Sequence, residues 1–350
     1  MSLGTITAAE AMGQPAPFDC VIDARSPSEF AEDHLPGAVN WPVLDDAERA
    51  EVGTIYTQVS TFEARKRGAA LVSRNIARII DEHVAGQPRD WRPLVYCWRG
   101  GQRSGSLAIV LAQIGFRTRQ LQGGYKAFRA LVRDELASLP GRFDWRVLGG
   151  RTGSGKTRLL GALAGEGAQV LDLEALAAHR GSVLGELPGQ PQPTQKAFDT
   201  QVWQALHGFD PARPVFVERE SRRIGRLQLP DAVLQAWQDR GRAIQVELGL
   251  AERVRLLTEE YAFFTRDVAA LYERLQVLTE LRGKATVARW QALAEAGDWP
   301  TLVAELMEQH YDPLYDRAAR GADNGAGRET VALADAEPAT LATVARQLIG

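Results

Sequence analysis

The sequence predicts an α/β chain built from two parallel sheets in tandem, and three observations predict it. A short apolar strand, Leu94-Val95-Tyr96, runs through the loop 97–103 into a helix that begins at Ser104. A second strand, Trp145-Arg146-Val147-Leu148, runs through the glycine-rich loop 149–156 into a helix that begins at Thr157. Between them lies 134–144, D-E-L-A-S-L-P-G-R-F-D, whose Pro-Gly pair and changed pattern mark a linker. Strand and helix alternate on both sides of it, as parallel sheets with crossover helices require. The chain therefore divides near residue 140, into domains 1–137 and 138–350.

In the first domain, Val21-Ile22-Asp23-Ala24-Arg25 reads as a buried strand and 30–35 as a short helix. Residues 45–90 are helical and polar, with a basic run at Arg65, Lys66 and Arg67. The helix from Ser104 carries Leu107, Val110, Leu111 and Ile114 on one face, with Gly115 placed as its C-cap. In the second domain, strands are expected at 168–173, 214–218 and 243–248, with helices in the intervals. The last hundred residues read as mostly helical, and A-R-G-A-D-N-G-A-G-R-E at 319–329 as a mobile loop. No internal repeat is visible.

Composition bounds the function. The chain has 350 residues, 45% apolar and 24% charged, an ordinary balance that fills real cores. A formal net charge of −3 carries no global nucleic-acid signature, so any such contact must come from local charge. Two cysteines, Cys20 and Cys97, make no disulfide framework. The N-terminus lacks a basic and apolar leader, and no stretch approaches the roughly 18 apolar residues of a membrane span. The expectation is a soluble protein of the reducing cytoplasm with no membrane partner.

Residues 150–157, G-R-T-G-S-G-K-T, match the phosphate-loop pattern G-x-x-x-x-G-K-[ST] in full, after an apolar strand and at the opening of a helix. Gly150, Gly153, Ser154 and Gly155 let successive backbone N–H groups point into one concavity. Lys156 would reach the outer phosphate oxygens, and Thr157 would offer its hydroxyl to Mg²⁺. No tightly bound metal is expected. Asp172, at the end of the next strand, either holds Mg²⁺ through water or caps the following helix. In L-A-E-R-V-R-L-L at 250–257, Arg253 and Arg255 either clamp phosphate or belong to a solvated helix face.

The other loop, Y-C-W-R-G-G-Q-R-S at 96–104, asks whether Cys97 is an inert packing residue or a nucleophile. Gly100 and Gly101 free backbone N–H groups to turn toward the sulfur. A helix N-terminus follows, and Arg99 and Arg103 add positive charge. These are the features that favour a thiolate and hold an anion, so Cys97 reads as catalytic with Arg99 and Arg103 beside it. Cys20 has no such context and reads as structural. Trp98 either stacks on a flipped-out base or packs beneath the loop.

V-I-D-A-R-S-P-S-E-F-A-E-D-H-L-P-G-A-V-N-W-P at 21–42 resembles the N-terminal signature of the rhodanese (sulfurtransferase) domain. G-G-Y-K-A-F-R at 123–129 resembles the motif that closes it. The loop C-W-R-G-G-Q-R is one residue longer than the usual rhodanese loop, as in rhodanese-fold phosphatases. A rhodanese domain with this loop, fused to a phosphate-loop domain, resembles the tRNA 2-selenouridine synthases. E-R-A-E-V-G-T-I-Y-T-Q at 48–58, H-R-G-S-V-L-G at 179–185 and V-E-R-E-S-R-R-I-G at 217–225 agree with that family.

The resemblance implies a rhodanese-like parallel-sheet domain followed by a P-loop NTPase-like, nucleotide-kinase-like α/β domain with a helical C-terminal region. It implies an enzyme that converts the wobble 2-thiouridine of tRNA to 2-selenouridine through an S-geranyl intermediate. Its co-substrates would be geranyl diphosphate and selenophosphate, with Mg²⁺ accompanying the diphosphate and selenium carried on Cys97. Its partners would be the tRNA anticodon arm and an enzyme that makes selenophosphate. Two stretches suit an RNA backbone: 99–133, with seven Arg or Lys and no Asp or Glu, and 213–226, with five Arg against two Glu. Within the latter, Ser221, Arg222, Arg223 and Arg226 either contact tRNA or complete the diphosphate site. The alternatives are a rhodanese-fold phosphatase or sulfurtransferase coupled to a nucleotide-binding domain, and a non-enzymatic sensor with Cys97 as a redox switch.

Overall fold

Two parallel sheets account for the strand–helix alternation, each in its own unit. A computed structural model of the chain describes residues 3–13, 18–320 and 329–350. Residues 321–328 of the loop expected at 319–329 lie outside the described residues. One unit comprises 1–136 together with 193–204, and the other 137–192 together with 205–350.

The first unit holds strands β1 (Gly4–Ile6), β2 (Cys20–Asp23), β3 (Ala38–Asn40), β4 (Pro93–Tyr96) and β5 (Arg119–Leu121). They pair in parallel in the order β1-β5-β4-β2-β3. Leu94, Val95 and Tyr96 of the central strand are fully buried, so the loop that starts at Cys97 leaves the sheet at its middle. The short helix near 30–35 spans Pro27–Glu32, because Pro27 suits the first turn and Ser26 and Glu29 form a capping box. The helix after the cysteine loop runs Gln102–Ile114 and ends on Gly115 at φ 118°. Leu107 and Leu111 are buried as expected, but Ile114 is 51% exposed. Phe116, beyond the cap, makes the core contact at that end, with its ring edge-on to Trp91 at 5.2 Å.

The charged residues of the 21–42 signature are structural. Arg25 is fully buried and donates to Asp23 at 3.0 and 2.6 Å and to the Asp33 carbonyl at 2.7 Å. Its guanidinium lies 4.0 Å from the centre of the Tyr125 ring, and the Tyr125 hydroxyl donates to Asp33 at 2.8 Å. The pair itself lies within the 21–42 motif with Arg25 Nη1 buried and without a hydrogen-bond partner, and the Tyr125 ring and hydroxyl tie it to the 123–129 motif. A single cut near residue 140 would leave 193–204 in the second domain, whereas the structure assigns this segment to the first unit. Arg129 donates to Asp199 and Thr200 at 3.0 Å each, Thr194 donates to the Glu32 carbonyl, and Trp203 meets Phe128 edge-on.

The second unit holds β6 (Trp145–Gly149), β7 (Gln169–Leu171), β8 (Val215–Glu218), the hairpin strands β9 (Arg223–Ile224) and β10 (Leu227–Gln228), β11 (Arg242–Leu248) and β12 (Glu329–Leu333). Its parallel sheet has the order β12-β11-β6-β8-β7. The strands expected at 168–173, 214–218 and 243–248 are β7, β8 and β11. Strand β12 is an addition: it lies at a sheet edge and buries only Leu333, so its sequence carries little apolar signal. The expected linker is ordered at its C-terminal end, where Leu139 and Pro140 are buried and the Trp145 indole donates to the Pro140 carbonyl at 2.9 Å. Helices between 250 and 320 pack around the fully buried Trp290. Among the described residues no helix is long and apolar enough to cross a membrane.

Candidate functional site

Each unit presents one loop at the C-terminal end of a central strand, the place where open parallel sheets bind ligands. Cys97 follows β4 and is 3% exposed. Ser104, in the first turn of the next helix, donates its hydroxyl to Cys97 Sγ at 3.1 Å. Gln120 Nε2 donates to Ser104 Oγ at 2.8 Å and to the carbonyls of Gly100 and Gly101 at 2.9 and 3.2 Å. With an amide donating to the serine oxygen, its proton is directed to the sulfur or to the Gly101 carbonyl at 3.3 Å. The result is a hydrogen-bond chain, Gln120–Ser104–Cys97, that ends on the sulfur.

The loop is held from below by 120–126. The backbone N–H groups of Tyr125 and Lys126 donate to the carbonyls of Cys97 and Trp98 at 2.8 and 3.0 Å. Gly124 sits at φ 58°, and a Cβ there would stand 2.2 Å from the Cys97 carbonyl oxygen and 2.5 Å from the Gly100 nitrogen. Only glycine allows this approach.

The expected arginines divide. Arg103 donates two nitrogens to Glu29, at 2.5 and 3.1 Å, so its charge is balanced within the protein. Burial pushes the Glu29 carboxyl up, but the Arg103 hydrogen bonds and charge outweigh it and hold it below its ordinary range. Arg99 is exposed. Trp98 is half-buried with its ring 5.4 Å from Tyr125, which is the packing alternative. Cys20 lies at the start of β2 beside Pro93, at the opposite end of the strands from Cys97. Burial and the neighbouring Asp19 push its thiol up.

In the second unit the phosphate loop joins β6 to the helix Lys156–Gly165. Gly150, Gly153 and Gly155 adopt φ of 157°, 75° and 84°, and a Cβ at Gly150 would lie 2.6 Å from the Val246 carbonyl. Ser154 is 1% exposed and its hydroxyl has no hydrogen-bond partner. Lys156 Nζ donates to the carbonyls of Gly150 and Arg151 at 3.0 and 3.3 Å and lies 3.4 Å from Glu218. Thr157 donates its hydroxyl to Glu218 at 3.0 Å. The two side chains expected on phosphate and Mg²⁺ thus share one carboxylate.

Three residues here escaped the sequence reading. Glu174, Glu218 and Glu220 bring carboxylate oxygens within 4.8 Å of one another. Burial, then the Glu218 charge, pushes Glu174 up to about 9 and Glu220 up to about 8. These hard oxygens and the Thr157 hydroxyl form a donor set that fits Mg²⁺. The available signal was an apolar strand ending in Glu218, beside the strand that feeds the phosphate loop.

Asp172 caps the helix Leu173–Ala177 by accepting from the Ala175 amide at 2.9 Å. Arg253 is 4% exposed, donates to the Thr152 carbonyl at 2.9 Å and pairs with Asp312 at 3.0 and 2.6 Å, so it braces the loop. Arg255 pairs with Glu252, Glu259 and Glu337 on a solvated face. Arg222 pairs with Asp231, Arg226 donates to the Gln192 carbonyl, and Ser221 donates to the Arg223 carbonyl. Arg223 is exposed on β9, and Arg219, also exposed, lines the phosphate-loop cleft. Of the seven cations in 99–133, Arg103 and Arg129 are held in ion pairs.

Comparison with known proteins covers both units. The family "tRNA 2-selenouridine synthase AAA domain" matches residues 143–273, and the rhodanese-like domain family matches 6–131. A tRNA 2-selenouridine synthase from Hydrogenovibrio crunogenus is 33% identical, over 85% of this chain and 88% of its own. That from Sulfurovum sp. is 33% identical over 85% and 87%, and that from Marinobacter nauticus 35% identical over 85% and 87%. Among solved structures, a rhodanese-related protein from Thermoplasma volcanium is similar over 37% of this chain and 92% of its own, at 18% identity and a TM-score of 0.25.

Proposed function

This chain belongs to the tRNA 2-selenouridine synthase family, and on that premise we propose that it replaces the sulfur of wobble 2-thiouridine in tRNA by selenium, through an S-geranyl intermediate. The observation that carries the proposal is the presence in one chain of two intact loops: a buried cysteine with a hydroxyl donor on its sulfur, and a complete phosphate loop beside a carboxylate.

The thiocarbonyl sulfur is a poor leaving group until it is alkylated. In the first step its lone pair attacks C1 of geranyl diphosphate; the C–S bond forms, the C–O bond breaks, and N3 of the base loses its proton. Diphosphate departs into the backbone N–H groups of 150–155. Lys156 exchanges its contacts with the Gly150 and Arg151 carbonyls for the diphosphate oxygens, and charge developing on the leaving group strengthens them. Thr157 and Glu218 would hold Mg²⁺, which when bound offsets diphosphate charge. In the second step selenophosphate, held at the Cys97 loop, attacks C2 through selenium: the C–Se bond forms, the C–S bond breaks and geranylthiol leaves with a proton, and water then cleaves the Se–P bond to release phosphate and 2-selenouridine. The Gln120–Ser104 donor chain holds the Cys97 sulfur for that step. The partners of the reading are the anticodon arm of tRNA and an enzyme that makes selenophosphate, and its compartment is the cytoplasm.

Mass analysis of nucleosides tests it. Purified protein, 2-thiouridine tRNA and geranyl diphosphate should give the S-geranyl nucleoside, and added selenophosphate should give 2-selenouridine. Lys156→Ala should lose roughly ten- to a hundredfold in the first product, the worth of a charge-assisted hydrogen bond. Cys97→Ala should keep the first product and lose the second. Unchanged products in both variants would overturn the assignment.

A further inference from the structure

Beside the cysteine loop the first unit carries a groove that neither step of the reaction uses. It has a volume of about 700 Å³ and lies between the helical hairpin formed by Asp46–Gln58 and Thr61–Ile79 and the helix Gln102–Ile114. The helix that gives Ser104 to the Cys97 sulfur gives Gln102 and Val110 to the groove, so the two sites are continuous. Val72, Ile76 and Val110 make an apolar wall. Three further parts of the lining have no use within the fold. The Tyr56 ring is 57% exposed and meets no other ring among the described residues. Arg65 is exposed and has neither a carboxylate nor a hydrogen bond there, whereas Lys66 and Arg67 beside it pair with Glu63 and Glu51. Gln102 is exposed, and its side-chain amide is equally uncommitted. A planar ring, a lone guanidinium and an amide are the parts that hold an unstacked nucleotide of RNA: the ring on the base, the guanidinium on the phosphate, the amide on the base edge. A hydrocarbon would engage the wall alone.

We propose that this groove holds a nucleotide flanking the reacting uridine in the anticodon loop, with its base on Tyr56 and its phosphate on Arg65. The assignment rests on tRNA being the substrate, and it identifies what anchors the loop so that the wobble base reaches Cys97. Stacking on a phenol ring tolerates any base, because every base has a π-face, so discrimination between flanking bases falls to the Gln102 amide.

The test is anisotropy titration of the full chain with an anticodon stem-loop bearing 2-thiouridine, either intact or with an abasic residue on one side of that uridine or the other. Tyr56→Ala should weaken the intact stem-loop roughly tenfold and Tyr56→Phe should not, since base–ring stacking is worth about that much and needs no hydroxyl. The abasic stem-loop that lacks the stacked base should bind wild type and Tyr56→Ala alike, because the contact is already gone. Arg65→Ala should reduce the slope of log affinity against log salt by about 0.7, and Arg65→Lys should restore it. Phe62→Ala removes an exposed ring that lies outside the groove and should match wild type. Wild-type affinity and slope in both Tyr56→Ala and Arg65→Ala would overturn the proposal, as would a Tyr56→Ala loss of equal size with the intact and both abasic stem-loops. A loss seen only with an S-geranyl stem-loop would give the groove to the hydrocarbon instead. Formation of 2-selenouridine by the same preparations separates the two readings. If wild type forms it and the groove variants bind like wild type, the groove assignment falls alone; if wild type binds through Tyr56 and forms none, the reaction falls and the groove assignment stands.

Discussion

At the scale of single residues, the cysteine loop depends on a donor that carries no charge. With Arg103 committed to Glu29, the nearest polar partner of the Cys97 sulfur is the Ser104 hydroxyl. Ser104→Ala should slow alkylation of Cys97 by iodoacetamide roughly tenfold at neutral pH while the fold stays intact, because a hydrogen bond to a charged group is worth about 1.5–3 kcal/mol. Unchanged alkylation would show that the hydroxyl serves only the Gly101 carbonyl. The carboxylates of the second unit behave oppositely. Glu174 and Glu220 are raised to about 9 and about 8, so the folded state binds their protons more tightly than the unfolded chain does. Their contribution to stability is full below the ordinary carboxyl value of 4.5 and is lost as pH climbs from there toward 9. The thermal midpoint of the Mg²⁺-free protein should therefore fall across that window, and Glu174→Gln should flatten the fall. Equal pH slopes in a scanning calorimeter for wild type and variant would remove the buried-charge account.

Elements meet at both loops through glycines that are not interchangeable. Gly100 and Gly101 are adjacent in sequence, yet a Cβ at Gly100 would lie 2.5 Å from the Leu121 carbonyl with φ at 64°, while one at Gly101 would meet nothing within 4 Å. Gly124 makes the matching approach from the turn between β5 and its following helix. Gly124→Ala should displace the cysteine loop, lower the thermal midpoint and abolish the 2-selenouridine product, since left-handed backbone alone costs about 1–3 kcal/mol for a non-glycine residue and the clash adds to it. Gly101→Ala should leave both readouts near wild type. Equal behaviour of the two variants would show that loop position does not depend on the turn. On the second unit, Arg253 performs the corresponding service from a different element, bracing Thr152 from a helix while Asp312 balances its charge.

For the whole molecule, a net charge of −3 means that RNA binding must come from a minority of its cations. The structure narrows that minority. Arg103, Arg129 and Arg253 are largely buried and held by carboxylates of the chain itself, whereas Arg99, Arg219 and Arg223 are exposed, as is Arg222 beside Asp231. Arg223→Ala should weaken tRNA binding and reduce the slope of log affinity against log salt by about one unit, as one lost phosphate contact requires. Arg129→Ala should instead destabilise the first unit, because it leaves Asp33 and Asp199 without their cation. Unaltered affinity and slope for the Arg223 variant, measured over a salt series, would remove β9 from the RNA-binding surface.

The sequence by itself determined both loops, the parallel α/β class and the family, because strand, loop and helix are consecutive there. The glycines, cysteine and lysine that define each loop act through backbone only a few residues away. It also separated Cys97 from Cys20, since glycines and arginines flank only the former. Tertiary structure alone decided which charges remain available. Arg103 and Glu29 are far apart in the chain, as are Arg253 and Asp312, and nothing local announces either pair. The same holds for Glu174, Glu218 and Glu220, brought together when the C-terminal ends of β7 and β8 align in the sheet, and for 193–204, drawn to the first unit by Arg129 and Trp203. Asp172 shows the limit most plainly: one residue at one strand end suits a metal partner or a helix cap, and only the fold shows that it accepts from the Ala175 amide at 2.9 Å while lining the phosphate-loop cleft.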